Sequence, residues 1–483
     1  MPYRSWQGRG RTIRVAGNRG EVRVRFVVAV RLAVSLLCLA APATANAAEP
    51  PFAPAPAIER VVYRHAILID GTGAAPRRDM AVITRGPVIE AVVPDRALTR
   101  AQLAGARTVD LTGRFLLPGL IDSHQHLATP PNRRRAEALM RRDLYSGITA
   151  TRIMADDLRS IAELDRAARI GEIAGPDLYF AALVAGDSFF DDPRTRAISG
   201  GGWTPGQTPW AQAINARTDL PRAIAIARGT GATALKIYAN LTPDLVRRLT
   251  QEAHRQGFPV WAHGMVFPTR PADVIAAGPD TVSHTCYLAY QLTAHPPQSY
   301  QERAPVDPAP FAAGDNPVMA GLFRQLRARG IILDPTLRVY REVERRSAAA
   351  GRPPYCTLDL AARLTAQAHR EGVLLSAGTD GDTPAEAPYP ALFEELDLLV
   401  SRAGLTPLEA IRAATQIGAM SISQGRTMGV IAPAFAANLV ILDRDPSADI
   451  ANMRSVIFTV KQGRRFDRAD YRGITPEEMG DDD

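Results

Sequence analysis

The 483-residue chain is 46% hydrophobic and 22% charged, ordinary globular values that exclude wholesale disorder and allow a large core in more than one structural unit. Its formal charge of +7 is concentrated in residues 1–47, where eight arginines face only Glu21. The remainder carries 49 basic and 49 acidic residues, so the main body lacks the broad basic footprint of a nucleic-acid or anionic-membrane binder.

In chain order, an Arg-rich start runs into "RLAVSLLCLAAPATANAAEP", an apolar run from Leu32 followed by small residues ending Ala45-Asn46-Ala47. This is the three-part pattern of a secretory signal peptide over residues 1–47, with cleavage expected after Ala47. The run is short for a membrane anchor and Arg31 interrupts its start, so no stable membrane span is expected after cleavage. The expected location is periplasmic or secreted. Leu37 is bulky where a lipoprotein site at Cys38 wants a small residue. Two cysteines remain, Cys286 and Cys356. An oxidising compartment permits their pairing, but a core this large needs no bridge, and isolated thiols in apolar surroundings are the expectation.

A Pro/Ala-rich linker (48–56) leads into short strand-like pieces, "RVVYRHAILID", "DMAVITRGPVIEAVV" and "RTVDLTG". The far end has the same character in "GVIAPAFAANLVILDRDP" and "SVIFTVKQGRRF". Residues 57–117 and 429–468 are therefore expected to form one small β-sandwich from both chain ends, followed by a tail, 469–483. Between them, over 118–428, compact apolar strands alternate with amphipathic helices. Eight strand candidates occur: "FLLPGLIDSHQH", "GITATRIM", "DLYFAAL", "ATALKIYA", "PVWAHG", "TVSHTC", "IILDPTL" and "VLLSAGTD". Thr242 and a glycine closing each helix supply start and stop signals for "TPDLVRRLTQEAHRQG" and "LDLAARLTAQAHREG". The alternation predicts an α/β chain, a (β/α)8 TIM barrel beside the small β domain. A doubly wound open sheet would want a Gly-rich fingerprint after an early strand, and none is present.

In a parallel barrel the functional groups sit at the C-terminal ends of the strands. Strand one ends in His124-Gln125-His126, and alternate residues share a face, so both imidazoles can look into the barrel mouth. Strand four carries Lys236, strand five ends at His263, strand six at His284 and strand eight at Asp380. Neutral imidazoles and a carboxylate converging in this way suit zinc and similar divalent ions. The lysine is conspicuous because 55 of the 57 basic residues are arginine. The other lysine, Lys461 in "TVKQGRR", is read as a surface residue. So are His254 and His369 near helix ends, and His65 and His295 outside the strand-end pattern.

The ordered set "LLPGLIDSHQHL", a strand-four lysine, histidines on strands five and six, and "AGTD" on strand eight resembles the amidohydrolase superfamily. The pattern is nearer its imidazolonepropionase-related and prolidase-like members, and it extends through "GLTPLEAIRAAT" and "NLVILDRDPSADI". The resemblance implies that His124, His126 and Asp380 bind one divalent ion and His263 and His284 a second, with zinc expected. It also implies that Lys236 reacts with carbon dioxide to give a carbamate bridging both. That chemistry needs a primary amine able to lose its proton, which explains a lysine kept in a chain whose basic residues are nearly all arginine. The implied reaction is hydrolysis of a carbon–nitrogen bond (amide, peptide or cyclic amide) by a metal-bridging hydroxide. Asp380 would move the proton, and Tyr238, facing the same way as Lys236, would polarise the carbonyl. The substrate would be a small molecule or short peptide; homo-oligomerisation stays open.

Lactone or ester hydrolysis on the same metal site is the alternative. A non-catalytic barrel relative is a further one, although such relatives lose ligands and this chain keeps all six. A mononuclear deaminase would want a glutamate soon after the strand-five histidine, where Gly264, Met265 and Val266 stand. Asn438 in "ANLV" and the strand-six "SHTCYLAYQ" depart from the family pattern. Cys286, two after His284, is read as a packing residue; Phe189, Trp203 and Trp210 are candidates for either pocket or packing.

Overall fold

Residues 59–381 and 383–480 are described by the computed structural model, so the expected leader and linker lie outside the described residues. One mixed eight-stranded sheet takes Arg60–Leu68, Arg77–Arg85, Val88–Pro94, Arg107–Asp110 and Phe115–Pro118 from the front of the chain. Leu439–Leu442, Val456–Lys461 and Arg464–Asp467 come from the rear. Its seam is the antiparallel pairing of Phe115–Pro118 with Leu439–Leu442. Alternation sorts the faces: Val61 and Tyr63 pack with Val82, Leu439 and Phe458, whereas Val62 packs with Ala81 and Ile83. Leu117, Val440 and Leu442 turn instead into the barrel core.

The run expected as a single first barrel strand therefore splits at Pro118-Gly119. Gly119 donates its N–H to the Asn438 carbonyl at 2.9 Å, and a Cβ there would sit 2.2 Å from Thr149 Oγ1. Only glycine lets the chain cross from one sheet to the other so closely. Seven parallel strands then form the barrel wall: Leu120–Gln125, Ile148–Ile153, Asp177–Gly186, Ala234–Ile237, Val260–His263, Thr281–Ser283 and Ile332–Asp334. The eighth place, expected as a strand, is filled by residues 373–380 without a continuous ladder. Leu333 N bonds Leu374 O at 2.9 Å, Ser123 N bonds Ala377 O at 2.8 Å, and Asp380 N bonds His124 O at 2.9 Å. Gly378 passes so near that a Cβ would meet Asp334 Oδ1 at 2.3 Å and His124 Cβ at 2.8 Å. Helix starts follow the sequence: Thr242 Oγ1 accepts from Leu245 N ahead of Pro243–Arg255, and Thr357 does the same ahead of Leu358–Arg370.

Two expectations are corrected. Lys461 is not a surface residue; it is 5% exposed, and its ammonium meets Asp177 at 2.8 Å and the carbonyls of Gly175 and Ala168 at 2.8 and 3.2 Å. Three acceptors around one point suit a compact ammonium, which here ties the terminal sheet to the barrel. Nor are the cysteines isolated: Cys286 and Cys356, with Cα atoms 6.3 Å apart and a sequence separation of 70, form a disulfide. Closing so long a loop removes much freedom from the unfolded chain. Reduction, or Cys286→Ser with Cys356→Ser, is expected to cost about 4 kcal/mol. Urea unfolding with and without reductant measures this directly, and coincident curves would show that the bridge contributes nothing.

Candidate metal centre

The strand ends open on a cavity of about 1000 Å³ whose lining includes His124, His126, Lys236, His263, His284 and Asp380. All six expected residues thus face one space. His124 Nε2 and His126 Nε2 each lie 3.4 Å from Asp380 Oδ1, and His284 Nδ1 lies 3.6 Å from Asp380 Oδ2. Ligand atoms of His124, His284 and Asp380 all fall within 4.8 Å of one another. The His263 ring packs 4.9 Å from that of His284, and the His284 ring 5.0 Å from that of His124. His284 and Asp380 adopt φ of 73° and 44°, a left-handed backbone that aims each side chain as the chain leaves its strand.

Electrostatics leaves most of these groups ready to act as ligands. Burial, reinforced by the Arg152 charge, pulls the Lys236 ammonium down to about 7. Burial likewise holds His263 and His284 well below the usual imidazole range and lowers His124. His126 is the exception. Burial works against its charge, but hydrogen bonds to Asp156 and Asp380 hold it up at about 10. Asp380 stays well below the usual carboxylate range despite burial, because His124, His126 and His284 surround it.

Behind these side chains stands a supporting set that sequence reasoning missed. Asp334, fully buried at the end of the seventh strand, meets His124 Nδ1 at 2.8 Å, Ser283 Oγ at 3.1 Å and Arg152 Nη2 at 2.9 Å. Asp156 meets His126 Nδ1 at 3.2 Å and accepts from the Leu127 and Ala128 amides. Thr336 Oγ1 lies 2.9 Å from His284 Nδ1. With Nδ1 engaged outward, His124 and His126 are left presenting Nε2 toward Asp380. Asp122 accepts from the amides of His124 and Thr379 at 3.0 and 3.2 Å, stitching the first strand to the eighth segment. The signal available in the sequence was a charged residue inside or just after an apolar strand, as in "TATRIMADD" and "IILDP".

Two observations test whether these residues fit divalent cations. Among the described residues, Lys236 Nζ and His263 Nδ1 are buried without a hydrogen-bond partner, a state that costs free energy unless something binds them. The donors also lie on several strands around one space, as an ion needs and a packed core does not. The residues fit. Tyr238 lines the same cavity, its ring 4.1 Å from that of His263 and its hydroxyl 3.5 Å from Tyr300 Oη. Phe189 is a pocket residue, packed 4.6 Å from Tyr238. Trp210 is a packing residue, bonded to the Ile198 carbonyl at 2.7 Å, and Trp203 is 47% exposed beside it.

A parallel α/β barrel gathering imidazoles, a lysine and a carboxylate at its strand ends has the architecture of a metal-assisted barrel enzyme. The amidohydrolase family model matches residues 115–466, and the chain belongs to that family, hydrolases acting on carbon–nitrogen bonds. It is 23% identical to ochratoxinase of Aspergillus niger over 451 residues, covering 83% of this chain and 85% of that protein. The solved A. niger ochratoxinase superposes with a TM-score of 0.67 at 21% identity, over 86% of this chain and 97% of that one. A Xaa-Pro dipeptidase solved with methionine in its active site gives a TM-score of 0.64 at 19% identity, over 85% of this chain and 100% of the other.

Proposed function

We propose that the chain hydrolyses an amide, peptide or cyclic amide bond with a pair of divalent cations held by His124, His126, His263, His284, Asp380 and a carbamate on Lys236. Zinc is the expected ion, since imidazole and carboxylate ligands suit it. The observation that carries the reading is the Lys236 amine, fully buried in the cavity lining and without a hydrogen-bond partner among the described residues; burial brings it down to about 7. A neutral primary amine adds carbon dioxide, forming an N–C bond and releasing one proton, and the resulting anion suits cations that an ammonium would repel.

Cations bound there supply Lewis acidity to an attacking water and to the scissile carbonyl. Asp380, beside His124 and His126, takes the water's proton and passes it to the leaving nitrogen. Burial and the neighbouring Tyr300 raise the Tyr238 phenol well above its ordinary value, so it stays protonated and can donate a hydrogen bond to the carbonyl oxygen.

The substrate is a small molecule or short peptide. Among the described residues no helix is long and apolar enough to cross a membrane. The leader pattern and the Cys286–Cys356 bridge support a periplasmic or secreted location. One structural neighbour is named for Xaa-Pro dipeptides, which places dipeptides first in a substrate panel. Zinc-loaded protein offered dipeptides, N-acyl amino acids and lactones is expected to turn over members of the first two groups. Turnover of lactones with every amide refused would replace the amide reading by the ester one.

A further inference from the structure

One wall of the cavity carries a cation that the chemistry above does not use. Arg303, half-buried in the segment after the sixth strand, stacks its guanidinium carbon 3.8 Å from the centroid of Tyr300 and 4.9 Å from that of Tyr355. It donates a hydrogen bond from Nη1 to Tyr287 Oη at 2.5 Å. A guanidinium has five N–H donors, and among the described residues Arg303 meets no carboxylate at ion-pair distance. Most arginines along the same cavity are answered: Arg194 by Asp192 at 2.6 Å, Arg338 by Glu394 at 3.4 Å, and Arg345 and Arg346 by Glu342 at 2.7 and 3.3 Å. Arg352 also lacks an ion pair, but it is exposed at the rim.

Two of the three rings that hold Arg303 also touch the candidate metal centre. Tyr287 packs 5.2 Å from His284, and Tyr300 stacks 5.9 Å from His263. The Tyr300 ring is shared between the two: its centroid lies 3.8 Å from the Arg303 guanidinium carbon and 5.9 Å from the His263 ring. The guanidinium therefore stands within about 10 Å of that imidazole, a span that a scissile amide and the carboxylate of the next residue can bridge together at roughly 3.5 Å per residue. Stacking holds the fork in place before any ligand arrives, so little order is lost when an anion docks. The geometry points to Arg303 as the receptor for a substrate carboxylate one residue from the scissile bond, making the substrate an N-acyl amino acid or a dipeptide with a free C-terminus. This deepens the hydrolase reading and rests on it. A planar carboxylate matches the planar fork, whereas a neutral amide in its place leaves the cation partly desolvated without a counter-charge.

The test separates the subsite from the chemistry. Metal-free protein is titrated calorimetrically with N-acetyl-L-phenylalanine and with N-acetyl-L-phenylalaninamide, which differ only in the carboxylate. Wild type is expected to bind the acid at least about tenfold more tightly, the usual scale for a hydrogen bond to a charged group. Arg303→Met should bind both alike, Arg303→Lys should keep an intermediate preference, and Arg352→Met should keep the wild-type preference. Thermal unfolding confirms that each variant is folded. No preference in wild type, or a preference surviving Arg303→Met, overturns the inference. If the zinc-loaded enzyme cleaves amides yet shows no such preference, this inference alone fails. If the preference behaves as expected but no amide is cleaved, the hydrolase reading fails and the anion site stands.

Discussion

Lys236→Met is expected to lower kcat/KM of the zinc-loaded enzyme by at least about 10³, equivalent to about 4 kcal/mol of transition-state stabilisation. The same change should leave the metal-free fold as stable as wild type or more so. Both halves follow from one position. The amine is 0% exposed and has no hydrogen-bond partner among the described residues, so the metal-free fold gains no hydrogen bond from it and bears its desolvation. Methionine fills similar volume without that cost. What it cannot do is form a carbamate, so the anion that should join the two cations is lost. Lys236→Arg should be worse for metal binding, because a permanent charge would sit among His124, His263 and His284, groups the lysine already disfavours when protonated. Chemical unfolding beside metal analysis and steady-state kinetics separates the effects. A Lys236→Met enzyme with near wild-type turnover would remove the carbamate from the account.

The second large effect lies one layer back. Asp334 and Arg152 are both fully buried and paired at 2.9 Å, and Asp334 also orients His124. Asp334→Ala leaves the Arg152 cation without its carboxylate, 5.1 Å over the Trp261 ring. The expected loss is about 3–5 kcal/mol of folding stability, because an unpaired buried charge is dearer than the pair is valuable. Asp334→Leu combined with Arg152→Met should recover most of that stability. It should not recover the metal, since His124 Nδ1 would still lack its acceptor; about 10- to 100-fold weaker zinc binding is expected in the double variant. Restored zinc affinity there would show that Asp334 serves the fold and not the site.

The convergence of these side chains on one cavity was legible because barrel strands are short and their C-terminal ends open on a common space. His124, His126, His263, His284 and Asp380 each close an apolar run, and period-two alternation places the two strand-one histidines on one face. The limits are equally physical. Lys461 stands beside a Gln462-Gly463 turn and reads locally as exposed, yet its acceptors Asp177, Ala168 and Gly175 lie far back in the chain. Asp334 reads as a strand end before a proline; only the closed barrel brings Arg152 beside it. The cysteines carry no local mark of pairing across 70 residues. Gly119 and Gly378 are ordinary in the sequence and become necessary only where sheets and strands approach. Arg303 sits in a segment without periodicity, and its meaning lies in three dimensions, where no carboxylate among the described residues meets it at ion-pair distance.

The most direct measurement is carbon-13 NMR of the zinc-reconstituted protein equilibrated with labelled bicarbonate, read beside zinc stoichiometry. The account predicts a single bound carbamate carbon accompanying a pair of zinc ions per chain, with the labelled carbon absent from Lys236→Met. A pair of ions bound in wild type with no labelled carbon, or a labelled carbon persisting after Lys236 is replaced, would contradict it.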